Sequence, residues 1–278
     1  MPDPSSQPRQ DGEPVLPEWL RPLSDSVRTI RAKDLSAFVP PQEPKPREGA
    51  VLVLFGEGPE GPDLLLTERA HTMRSQPGQV SFPGGSLDPG ETAVEGALRE
   101  AHEETGLDPE GIDVFAVLPR LWLPPRNFAV APVLGYWHHP SPISVTNPRE
   151  VHAVFRVPIE DLLEPAHRFT VRHPLGWNGP GWMIGPDRDV LLWGFTAGII
   201  DALFDFVGWT REWDRSVERS LPDQHIDWNR VARQMGIEVP EGETFDPVAA
   251  GLIPDPYDAD EAPSETVADL DRELKPDR

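Results

Sequence analysis

The chain has 278 residues, 38% of them hydrophobic, with 35 prolines, no cysteine and a formal net charge of −22. That length suits one sizeable α/β domain with extensions, or two small domains. The missing cysteines exclude disulfides, thiol nucleophiles and zinc–thiolate centres, and the acidic balance argues against non-specific binding to DNA or RNA. The first residues, MPDPSSQPRQDGEPVLPEW, lack the basic and apolar regions of a secretory signal. No apolar run approaches the ~20 residues of a membrane span. The expectation is therefore a soluble cytoplasmic protein with no membrane or nucleic-acid partner; composition leaves its assembly open, a homodimer among the options.

In chain order, residues 1–24 read as a disordered leader, rich in Pro, Ser, Gln and charge. A short amphipathic helix is expected over Ser24 to Ala37, and PPQEPKPREG (40–49) reads as an extended linker. AVLVLF (50–55) and DLLLTER (63–69) flank a Gly/Pro turn and predict a β-hairpin. From Ala70 to Glu91 runs a long loop, a length more typical of functional segments than of simple turns. Thr92 and Glu95 then have capping-box spacing, Val94, Ala97, Leu98 and Ala101 share one face, and Gly106 stands where a helix C-cap is expected. Strands are predicted over 112–123, 128–137 and 150–159, then a short helix at Ile159 to Leu163. Strand-like pieces near Phe169, Trp182 and Leu191 lead to an apolar helix over 194–208. Residues 211–240 read as a helical extension, with a helix around Ile226 to Met235, and 241–278 as an acidic, disordered tail.

The chemistry concentrates in GSLDPGETAVEGALREAHEETGL (85–107). Glu100, Glu103 and Glu104 stand at i, i+3 and i+4, so three carboxylates share one helical face. Such crowding destabilises a helix unless cations neutralise it, and hard divalent ions such as Mg²⁺ or Mn²⁺ favour these oxygen ligands. Arg99 and Glu91 can pair across the helix start. Gly84 and Gly85 let a backbone carbonyl approach the same ions, which makes Gly84 a candidate ligand.

This segment resembles the Nudix box, G-x5-E-x7-R-E-U-x-E-E-x-G-U, with U a bulky aliphatic residue. Gly85, Glu91, Arg99, Glu100, Glu103, Glu104, Gly106 and Leu107 fall in register; the departure is Ala101, small where the pattern prefers Ile, Leu or Val. The resemblance covers roughly residues 25–210 and implies a Nudix α/β/α sandwich with a mixed central sheet. It further implies metal-dependent hydrolysis of a pyrophosphate linkage. Glu100 and Glu104 are then the principal metal ligands, and Glu103 supports a further ion and belongs to the catalytic set. Glu91 becomes an outer partner or further ligand, and Arg99 orients the glutamates.

Upstream, LLTERAHTMRSQPGQVSFPGG (65–85) looks like the motif of the coenzyme A pyrophosphatase branch, LLT-x-R-[SA]-x3-R-x3-G-x3-FPGG. By that likeness Arg69, Arg74 and Gly78 bind a substrate carrying a diphosphate and a 3′-phosphate, and the arginines offset the acidic background. Glu150, in NPREVHAVF (147–155), resembles the further acid of the family and is the candidate base or metal ligand, against the reading of a solvated strand-edge glutamate. His102 reads as a surface residue, and His138, His139, His152, His167 and His173 show no metal-ligand spacing. Tryptophans between Trp177 and Trp213 read as packing. Two other readings compete. One is a Nudix pyrophosphatase for ADP-ribose, cued by Pro124 and Pro125. The other is a non-catalytic nucleotide sensor, against which the complete set of acids speaks.

Overall fold

The computed structural model describes residues 14–36, 45–73, 76–123, 127–240 and 243–250. The chain divides into two compact units after His225. In the first, helices Arg21–Ser26 (α1) and Ala32–Leu35 (α2) precede strands Arg47–Gly58 (β1), Gly61–Arg69 (β2), Val80–Ser81 (β3) and Gly84–Ser86 (β4). Helix Ala93–Thr105 (α3) follows, then strands Ile112–Val117 (β5), Leu121–Leu123 (β6), Phe128–Trp137 (β7) and Val151–Pro158 (β8). After helix Ile159–Leu163 (α4) come Arg168–Arg172 (β9), Asn178–Ile184 (β10), Val190–Leu192 (β11), helix Gly194–Phe206 (α5) and Glu218–Ser220 (β12). The second unit holds helix Trp228–Gln234 (α6), started by the Asp227 carboxylate, which accepts from the Arg230 amide at 2.9 Å.

An eight-stranded sheet in the order β3-β2-β1-β7-β5, with β4 on β1, β6 on β7 and β8 on β2, forms the centre. β1 and β7 run parallel and their other partners antiparallel, so the sheet is mixed. β1 shows why both faces are covered. Val53 and Phe55 pack into one apolar cluster, Ala50, Leu52 and Leu54 into another, as the two-residue period of a strand requires. The second cluster takes Ala97 and Ala101 from α3. The first takes Ala197, Ile199, Ile200, Leu203 and Phe204 from α5. Helices lie on both sides of a mixed sheet: an α/β/α sandwich. A second sheet, β11-β10-β9-β12, adds Trp182, Ile184 and Leu192 to the α5 side.

Four features differ from the sequence-based expectation. The part of the leader within the described residues is folded, because Leu16, Leu20 and Leu23 recur at helical spacing and are buried in the α5-side cluster. The helix expected at 24–37 is accordingly two short ones, the first starting at Arg21. The segment 70–91 contains β3 and β4, whose pairing with β2 and β1 draws it into the sheet. The first unit also continues past residue 210: Trp213 and Leu221 are buried and β12 pairs with β9.

Candidate active site

Helix α3 is held at both ends by local chemistry. The Thr92 hydroxyl accepts from the Glu95 amide at 3.2 Å, and the Glu95 carboxylate accepts from the Thr92 amide at 2.8 Å. At the other end Gly106 turns left-handed with φ 70°. His102, outside the acidic face, lies 2.7 Å through Nδ1 from the Leu107 carbonyl. Ala97 and Ala101 are fully buried, so their small side chains carry the helix against β1 and β4. The departure from the box at Ala101 thus falls at a close contact. On the same helix the side chains of Glu100 and Glu103 are 17% and 56% exposed, and Glu104 is 6% exposed.

The glycines meet this face from the sheet. Gly85 and Gly84 pair with Ala50 and Val51 of β1, and the Leu52 amide donates to the Pro83 carbonyl at 2.8 Å. A Cβ at Gly85 would stand 2.5 Å from Glu100 Oε1, so only glycine leaves that carboxylate its place. The Gly84 amide donates to Glu104 Oε2 at 3.2 Å. Burial pushes the Glu104 carboxyl up to about 8, and the nearby Glu100 and Glu150 charges add to the rise while that amide and Arg69 oppose it. Glu100 is also raised, first by burial, against the pull of Arg99.

Arg99 ties the region together. Its Nε and Nη2 donate to the two carboxylate oxygens of Glu91 at 2.8 and 3.0 Å, a bidentate fork. Nη2 also reaches the Ser86 carbonyl at 3.2 Å, and Nη1 lies 3.2 Å from Glu100 and 3.3 Å from Glu103. The guanidinium holds Glu91 down to about 2, and Glu91 first, then Glu100, in turn raise Arg99 above its ordinary value.

Residues from outside the helix converge on it. Arg69 and Glu150 both act electrostatically on Glu104, so β2 and the turn before β8 deliver a cation and an acid to the cluster. The Ala70 amide donates to the Glu150 carbonyl at 2.8 Å and fastens the two segments. Gly78, at φ 65°, donates its amide to the Arg69 carbonyl at 3.1 Å. A Cβ there would press on the His71 ring at 2.9 Å. Arg74, Pro124 and Pro125 lie outside the described residues. A separate group escaped the sequence reading: Glu68, His71 and His152 gather ligand atoms within 4.8 Å of one another. Sequence spacing gave no sign of it, because His152 arrives from another strand. A concavity of about 480 Å³ beside the β1–β2 turn holds none of the box residues; its charged lining includes the pairs Asp63–Arg156 and Asp161–Arg188 together with Glu60.

The NUDIX domain matches residues 45–177. The uncharacterized Nudix hydrolase NudL of Cronobacter sakazakii is 40% identical over 163 residues, 56% of this chain and 81% of that protein. The chain belongs to the Nudix hydrolase family. Among other Nudix hydrolases it is similar to the mitochondrial Nudix hydrolase 15 of Arabidopsis thaliana, 36% identical over 174 residues and 58% of each chain. A crystal structure of the Nudix hydrolase RenU from M. Smegmatis aligns with 61% of this chain and 90% of its own at a TM-score of 0.43 and 20% identity. No helix among the described residues is long and apolar enough to cross a membrane.

Proposed function

We propose that this Nudix hydrolase cleaves the diphosphate linkage of coenzyme A and its derivatives to 4′-phosphopantetheine and adenosine 3′,5′-bisphosphate, with Mg²⁺ or Mn²⁺ as cofactor. The observation that carries the reading is the unbroken run from Leu65 to Gly85 directly before the glutamate helix, whose Arg69 bears electrostatically on Glu104. A half-buried acidic cluster, with one carboxyl raised to about 8 and a glycine cradle against another, fits a divalent ion as the neutralising partner.

Glu100 and Glu104 hold the ion together with the Gly84 carbonyl, and Glu103 serves a further ion. When bound, such ions lower the pKa of a water and offset charge on the phosphates. Arg99 acts as a positioning residue by fixing Glu91, Glu100 and Glu103. Arg69 and Arg74 pair with substrate phosphates, and Gly78, whose amide donates to the Arg69 carbonyl, completes the substrate-binding set. Glu150 accepts the proton of the attacking water. The water oxygen bonds to one phosphorus, and the bridging P–O bond breaks with its electrons leaving on the other phosphate.

The test is turnover of coenzyme A and of ADP-ribose by the full chain with Mg²⁺ or Mn²⁺, with products identified. Faster cleavage of coenzyme A, yielding the two products above, is expected. Equal or faster cleavage of ADP-ribose removes the substrate assignment. Tight binding without hydrolysis of any diphosphate places the chain among nucleotide sensors instead.

A further inference from the structure

Strand β8 carries an irregularity beside the active site. Glu68 of β2 pairs with Ala153 and Arg69 with Val151, so one step along β2 spans two along β8 and His152 is the extra residue. A bulge of this kind re-aims a side chain that regular pleating would point elsewhere. Here the His152 ring stands 4.7 Å from that of His71, edge to face at 78°. His71 Nε2 in turn lies 3.0 Å from Glu68 Oε1. Glu68 is buried, 6% exposed, whereas both histidines are exposed. Gly78 leaves room beside the His71 ring, where a Cβ would stand 2.9 Å from its Cε1. The three donors thus come from β2, the turn after it and the bulge.

We propose that Glu68, His71 and His152 form a second metal site, separate from the carboxylates of α3, that takes a zinc-class transition ion. Two imidazoles and a carboxylate suit Zn²⁺ or its neighbours, whereas Mg²⁺ prefers oxygen alone. Bonds of about 2.0–2.2 Å place donors around such an ion roughly 3–3.5 Å apart. The Glu68–His71 pair already has that spacing at 3.0 Å. The widest pair, within 4.8 Å, closes by about 1.5 Å through rotation of exposed imidazoles. Three protein ligands leave a fourth position to water. The ion ties His71, two residues past Arg69, to the strand that begins beside Glu150, and so braces both outer members of the active site. Without an ion the Glu68–His71 pair is an ordinary contact with an exposed histidine, of little value for stability.

The probe is Co²⁺, titrated into the full-length protein at saturating Mg²⁺ and followed by its visible ligand-field absorption, with Zn²⁺ as competitor. A saturable band displaced by Zn²⁺ is expected in the wild type and in Glu104→Gln. His71→Ala and His152→Ala should each weaken Co²⁺ binding more than about 100-fold, beyond what loss of an outer-shell partner costs. Circular dichroism guards against misfolding, and His152→Gln, which keeps bulk at this exposed position, provides a second variant. An absent band in the wild type, or a band unchanged in the histidine variants, overturns the proposal. Loss of the band in Glu104→Gln with retention in the histidine variants also overturns it, by assigning the cobalt to α3. The outcome does not depend on which diphosphate the enzyme cleaves.

Discussion

Glu104 is the side chain whose environment is hardest to sustain alone: a carboxyl 6% exposed, beside two other acids, raised to about 8. In metal-free protein the folded state keeps its proton until about pH 8, while the unfolded chain releases it near 4.5. Folding therefore binds a proton throughout that window, and stability falls as pH rises through it. Glu104→Gln removes the titration, so at pH 8 in EDTA the variant should melt a few degrees above the wild type, with the difference vanishing near pH 4.5. Thermal melts at several pH values check this; parallel curves would show that the carboxyl does not titrate in that range. Activity moves the other way, with kcat of Glu104→Gln reduced by orders of magnitude. Arg99 offers a complementary test. Arg99→Lys keeps the charge but cannot reproduce the fork on Glu91 together with the Ser86 and Glu103 contacts. Mn²⁺ affinity by calorimetry should drop about 10–100-fold, as for other outer-shell losses, while the fold persists.

Between the helix and the sheet, two adjacent glycines do different things. Gly84 has φ 152°, and a Cβ there would meet the Ala50 carbonyl oxygen at 2.4 Å, an obstacle of fixed backbone. At Gly85 the obstacle is the carboxylate end of Glu100, a side chain that can swing aside. Gly84→Ala should therefore lower the melting temperature, whereas Gly85→Ala should keep it and lose metal affinity and turnover. Equal effects of both on stability would refute the distinction. This helix and its cradle were legible in the sequence because capping, C-cap glycine and acid spacing are local: Thr92, Glu95, Gly106 and the three glutamates need no knowledge of the rest of the chain. The hairpin was legible for the same reason. The folded part of the leader was obscured by its proline and charge content, although Leu16, Leu20 and Leu23 carry a helical period. The position of His152 was out of reach, since a bulge between β2 and β8 is a register between distant segments and leaves no local pattern.

At the scale of the whole chain, charge works against the proposed substrate. The net charge is −22, and residues 241–278 contribute −9 of it, 12 acids against 3 bases. Coenzyme A is itself a polyanion, so long-range repulsion slows encounter, and only the short-range arginines and bound cations reverse the sign near the phosphates. Salt separates the two ranges: the Debye length shrinks from about 30 Å at 0.01 M to about 8 Å at 0.15 M. Distant repulsion is screened over that interval, while pairs in contact are screened much less. Raising monovalent salt across it should increase kcat/KM for coenzyme A through KM, leaving kcat flat. Among the described residues the apolar clusters reach no further than Trp209, so a chain ending at Pro240 should keep its fold and kcat. With its net charge reduced to −13, it should show higher kcat/KM at low salt and a shallower rise with salt. Steady-state kinetics of the two chains at matched Mg²⁺ make the comparison. If kcat/KM instead falls with salt equally in both, attraction at the arginines governs encounter and the acidic segment has no electrostatic part in it.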